Sequence, residues 1–155
     1  TLPAIAPGGV LRPLPEPFSW SPATGWRPFT FTNGAASAVI FSLNSHGVGV
    51  GIGVGPNSFN SIRAILYDVA AGIGDDSPPS HFPFDNIGPT GINDSNQISA
   101  NADFVSENGT RGSVALVNGQ ALPPGIFGDG TAGINSAGVV GGQSNGLPVL
   151  WVPNP

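Results

Sequence analysis

Short apolar runs recur along the chain, and a cluster of turn-forming residues follows each. Phe18-Ser19-Trp20, Ile65-Leu66-Tyr67, Ala115-Leu116-Val117 and Val149-Leu150-Trp151 are four such runs. Behind them come Ser21 to Gly25, Asp68 to Gly72, Asn118-Gly119 and Val152-Pro153-Asn154. A second pattern alternates with the first, in three copies: Asn44-Ser45-His46-Gly47-Val48, Asn93-Asp94-Ser95-Asn96-Gln97 and Asn135-Ser136-Ala137-Gly138-Val139. Their leading asparagines lie 49 and 42 residues apart. Two landmarks in fixed alternation predict supersecondary units that bury their apolar faces by stacking. The spacing divides residues 18–155 into one repeat domain with units at 18–64, 65–114 and 115–152.

Within that frame the pattern predicts many short strands. Trp26 to Phe31 and Ser37 to Leu43 are strand-like, and Val48 to Gly55 alternates a β-branched residue with glycine over eight positions. Strand side chains point to alternate faces, so Val48, Val50, Ile52 and Val54 share one face and bare backbone forms the other. Gly49, Gly51 and Gly53 therefore allow close approach, either by the chain's own side chains or by a glycan or second subunit. Gly91 to Phe104 and Gly130 to Gln143 each supply a turn and a strand, while Asn108-Gly109 and Asn145-Gly146 are hairpin signals. Asp75 to Pro89, with Pro78, Pro79 and Pro83, is expected to be a long loop. Residues 1–17 carry five prolines, which exclude a helix and predict an extended arm lying on its own domain or reaching a neighbour. The fold class is all-β: about three antiparallel units, either propeller-blade-like or a compact barrel or sandwich.

Composition changes this picture in one respect. Gly 24 and Pro 17 among 155 residues reach a level seen in disordered chains, but 39% hydrophobic and 8% charged residues are the reverse of a disordered balance. The glycines and prolines are therefore punctuation between strands. The charged residues are four arginines, no lysine and nine acids, for a net charge of −5. A chain without a basic stripe is poorly suited to nucleic acid or to an anionic membrane surface. No apolar run approaches the length of a membrane helix. So weakly charged a surface tolerates self-association and suits a secreted or cell-surface protein whose leader has been removed.

Candidate chemistry is sparse. Cysteine is absent, which excludes a disulfide framework and a thiol nucleophile. The two histidines, His46 and His81, sit in turn or loop sequence, with no Gly-x-Ser-x-Gly elbow and no zinc-ligand spacing around them. Asp75-Asp76, Asp85 and Asp94-Ser95-Asn96 could offer calcium oxygens, but no calcium-loop pattern frames them. These residues predict no catalytic group, no resident metal and no cofactor. Asn44, Gly47, Asn93, Asn96, Asn135 and Gly138 read as turn formers, because asparagine caps turns and both residue types tolerate left-handed backbone. Phe18, Trp20, Tyr67 and Trp151 occupy the recurring apolar strand and read as core. Trp26 lies outside that strand and is the better candidate for stacking on a sugar. Asn93-Asp94-Ser95 and Asn108-Gly109-Thr110 also match the glycosylation sequon.

The Phe-x-Trp strand with its Pro-Gly turn, and Gly133-Ile134-Asn135-Ser136-Ala137-Gly138-Val139-Val140-Gly141 above all, resemble the HAF-type extracellular repeat of bacteria and archaea. Gly91 to Ile98 and Ser42 to Val48 carry the same resemblance, and the His-Ala element of the family is absent from every copy. The resemblance covers Phe18 to Trp151. It implies a secreted, propeller-like β-repeat protein without catalytic residues. Two functions are expected on these grounds: a structural subunit that self-associates into a filament or surface structure through its arm and terminal strands, or a carbohydrate-binding module.

Overall fold

Strands form wherever the sequence alternates, and turns form where asparagine and glycine interrupt it. The computed structural model describes residues 18–32, 37–55, 58–75, 87–105, 111–123 and 129–153. The proline-rich arm, His81, Asp76, Asp85 and the Asn108 sequon lie outside these residues. In chain order the strands are β1 (Phe18–Ser21), β2 (Gly25–Pro28), β3 (Thr30–Phe31), β4 (Ser37–Leu43), β5 (Val48–Gly55), β6 (Ser58–Asp68) and β7 (Ile73–Asp75). They continue as β8 (Ile87–Ile92), β9 (Ile98–Val105), β10 (Arg111–Val117), β11 (Gln120–Ala121), β12 (Gly130–Ile134), β13 (Val140–Ser144) and β14 (Leu147–Trp151). No helix occurs among the described residues, so the protein is all-β.

The strands form four sheets. Three are antiparallel meanders: β4-β5-β6-β7, with β3 added in parallel at its outer edge; β8-β9-β10-β11; and β12-β13-β14. The fourth is the isolated hairpin β1-β2. None of the sheets closes into a barrel, and among the described residues β14 is an edge strand that does not pair with β1. Asn118-Gly119 and Asn145-Gly146 close two of the hairpins with φ of 48° and 77°, then 51° and 74°. Positive φ at both central positions matches the right-handed twist of the strands they join.

The first two strands of each meander share one register. Ile40 pairs with Gly51, Pro89 with Ala100, and Thr131 with Gly142. In each sheet the ladder then skips one residue, at Phe41, Thr90 or Ala132, before resuming at Ser42–Val50, Gly91–Ser99 or Gly133–Gly141. The bulge explains why Pro89 is tolerated inside β8, a strand that begins at Ile87 within the segment expected to be loop. The apolar run Ile65-Leu66-Tyr67 lies in β6, the third strand of its sheet. A unit counted from one apolar run to the next therefore joins the later strands of one sheet to the first strands of the following one.

Two apolar clusters hold the sheets together. Val50 and Ala64 of the first meander pack with Ile87, Ile92, Ile98, Ala100, Ala102 and Leu116 of the second. Ile65 and Tyr67, on the opposite face of β6, pack with Phe29 and Ala38, and Phe31 and Ile40 lie against them. Phe29 and Phe31 each meet the Tyr67 ring edge-on, with centroids 5.2 and 6.3 Å away. The contact between the second and third meanders is polar. Thr90 and Thr131 share a 2.6 Å hydroxyl contact, Ser99 lies 3.0 Å from Thr90, and the Thr131 N–H donates to Asn101 Oδ1 at 2.6 Å.

Candidate functional site: the asparagine turns

Each meander turns from its first to its second strand at one of the three asparagines, and the three turns are built alike. The asparagine N–H donates to the carbonyl four residues on, at 3.0 Å in all three (Val48, Gln97 and Val139). Its carbonyl accepts from the N–H of Gly47, Asn96 or Gly138, three residues on. Those residues have φ of 79°, 57° and 79°, which explains why only glycine or asparagine stands there. The side-chain Oδ1 closes the turn from within. Asn44 Oδ1 accepts from His46 and Val48, Asn93 Oδ1 from Ser95 and Gln97, and Asn135 Oδ1 from Ala137 and Val139, all at 2.9–3.1 Å.

In the first two turns the other end of the carboxamide reaches the next turn. Asn44 Nδ2 donates to the Asn93 carbonyl at 3.1 Å, and Asn93 Nδ2 donates to the Asn135 carbonyl at 3.0 Å. A ladder of amide-to-carbonyl bonds thus runs along the three turns, always from the earlier asparagine to the later one. Asn44 Nδ2 also donates to Asn96 Oδ1, and Asn93 Nδ2 to Gln97 Oε1. Beside the first rung, the Ser45 N–H donates to Asp94 Oδ1 at 2.8 Å. That bond, a second from the Ser45 side chain and the nearby His46 hold the Asp94 carboxyl below its ordinary value, with desolvation opposing them. Asn44 and Asn93 are both buried, whereas Asn135 is exposed.

Gly49, Gly51 and Gly53 are buried on β5. A Cβ on Gly49 would stand 3.3 Å from a methyl of Ile40 and 3.4 Å from Tyr67 Cβ, and one on Gly51 would overlap the Val39 carbonyl. The bare face is filled by the chain itself at these positions.

The aromatic positions divide. Tyr67 is buried, and the half-buried Trp151 donates its indole N–H to the Pro123 carbonyl at 2.6 Å. Phe18, Trp20 and Trp26 are exposed. Trp20 pairs directly with Trp26, and Phe18 with Pro28, so these four side chains share one face of the hairpin. The Phe18 and Trp26 rings meet edge-on at 4.3 Å. Trp20 thus lies outside the core that its place in the apolar run suggested, because β1-β2 forms a sheet of its own.

Asn93 of the first sequon is buried, with its Nδ2 in two hydrogen bonds, and a glycan on that atom would take the hydrogen of one of them. Among the described residues, no three histidine, aspartate or glutamate side chains gather as a metal site would need. The polar contact of Thr90, Ser99, Asn101 and Thr131 carried no sequence signal, since such residues are equally at home on a solvated strand face. Comparison with protein-family patterns, with curated proteins and with solved structures finds no match to this chain.

Proposed function

We propose that this protein is a non-catalytic structural module of an extracellular or cell-surface assembly, and that it works by associating with itself. The observation that carries this reading is the β1-β2 hairpin. Its Phe18-Ser19-Trp20 strand follows the same pattern as Ile65-Leu66-Tyr67, yet Ile65 and Tyr67 are buried while Phe18 and Trp20 stand 54% and 58% exposed. Among the described residues the hairpin has no further strand beside it, and β14 pairs only with β13, with Leu147 and Leu150 exposed. Unpaired edges and apolar faces of this kind are joining surfaces. The weak net charge of −5 presents little repulsion to a second copy, and the HAF-type resemblance agrees with an extracellular setting. Sedimentation velocity over a range of concentrations, with negative-stain electron microscopy, tests the reading. Rings, rods or sheets are expected, and a monomer at every concentration would overturn it.

The same hairpin favours a second reading, in which its aromatic face stacks on sugars. Quenching or shift of tryptophan fluorescence by oligosaccharides, abolished by Trp26→Ala, would support that carbohydrate-binding role.

A further inference from the structure

The three asparagine turns form a stack with two unlike ends, and the ends are complementary. At the internal joints, a turn gives its Nδ2–H to the following turn and receives the preceding one on its carbonyl. The last turn has this donor to spare: among the described residues, Asn135 Nδ2 makes no hydrogen bond. The first turn has the matching acceptor. Among the described residues Asn44 O accepts only from Gly47, whereas the carbonyls of Asn93 and Asn135 each accept a second bond from the turn before.

The surfaces around these groups match in the same way. Leu43, Ile92 and Ile134 each stand immediately before their asparagine. Ile92 is buried in the apolar cluster with Val50 and Ala64 of the preceding sheet, while Leu43, with no asparagine-turn meander before it among the described residues, is 54% exposed. At the far end, Gly91 and Gly133 hold the same place in their sheets, both paired just past the bulge. A Cβ on Gly91 would come within 3.2 Å of the Ile134 N and 3.3 Å of the Gly133 Cα of the following sheet, but one on Gly133 would meet nothing within 4 Å. The backbone gap that the third sheet fills beside Gly91 is open beside Gly133.

Resting on the self-associating reading above, we infer that a second copy of this chain docks head to tail. Asn135 Nδ2 and Gly133 of one copy meet the Asn44 carbonyl and Leu43 of the next, continuing the internal joint across the boundary between molecules. Because this contact is heterologous, copies continue into a ring if the rotation closes and into a filament if it does not.

Asn135→Asp tests the joint directly. The carboxylate still accepts from Ala137 and Val139, so the turn is kept, but the donor is lost and a negative charge faces the Asn44 carbonyl. Gly133→Val fills the open gap independently, and Leu43→Arg blocks the other end. With the circular dichroism spectrum unchanged, each variant should weaken self-association about tenfold or more, the effect of losing one well-made bond or apolar contact. A mixture of the Asn135→Asp and Leu43→Arg chains retains one intact pair of ends and should stop at two chains. If the wild type associates and the folded variants associate equally well, this joint is wrong, the hairpin becomes the contact and the structural reading survives. If the wild type remains a monomer, both readings fall.

Discussion

Asn93 donates its side-chain amide to the backbone carbonyl of Asn135, 3.0 Å away and 42 residues later in the chain. The same side chain accepts from the N–H groups of Ser95 and Gln97. Removing it therefore damages a turn and a joint between sheets at once. Asn93→Ala leaves buried groups without partners and should cost about 2–4 kcal/mol. Asn93→Asp, protonated at low pH, retains the carbonyl acceptor and one donor in place of two, so its cost there should be smaller, about 1–2 kcal/mol. Chemical denaturation of the two variants measures the difference between turn and joint.

Acid should loosen the first rung before the rest. Asp94 has a folded-state pKa below the ordinary 3.8, so its stabilising bond from Ser45 is complete above that value. It is lost as the pH falls below 3.8 and through the lowered folded value, since protonation then favours the unfolded chain. The stability gap between wild type and Asp94→Ala should be constant near neutrality and narrow on the acid side of that window. Melting curves across the pH range decide this, and a gap independent of pH would remove the carboxylate from the joint.

Two glycine-to-alanine changes should behave oppositely. Gly51→Ala drives a methyl into the Val39 backbone, where the clash cannot be relieved by a side-chain rotation, and should destabilise by about 2 kcal/mol or more. Gly88→Ala meets nothing within 4 Å and should be neutral or stabilise by up to about 1 kcal/mol through the unfolded state. Their melting temperatures, measured side by side, check both.

The polar contact between the second and third sheets depends on a hydroxyl. Thr131→Val preserves the shape of a buried residue but deprives Thr90 Oγ1 of its 2.6 Å partner and Asn101 Oδ1 of one donor. We expect a loss of about 1–3 kcal/mol. Thr90→Val in the same chain should recover part of it, because the orphaned partner is then gone, and a double-mutant cycle reads the coupling.

What the sequence made legible was local. The alternation at Val48 to Gly55, the Asn145-Gly146 hairpin and the three asparagine turns follow from side-chain period and backbone preference, and each lies where these predict it. The bulges at Phe41, Thr90 and Ala132 were not legible, since three unrelated residue types occupy one position and the skipped pairing depends on the neighbouring strand. The recurring run suggests a core place for Trp20, but burial is set by which strands lie alongside, and among the described residues its hairpin has no other strand. At the candidate site, Asn44, Asn93 and Asn135 were visible as turn formers. The bonds between them span more than 40 residues and leave no mark in any short window.

Serine, aspartate or asparagine can each close a turn by offering an oxygen to the backbone. Of these, only the carboxamide keeps an acceptor and a two-hydrogen donor on the same rigid plane. Asparagine at positions 44 and 93 thus encodes a neighbour as well as a bend. A substitution that looks conservative for the bend erases the address of the neighbour, and no repair inside its own sheet can restore it.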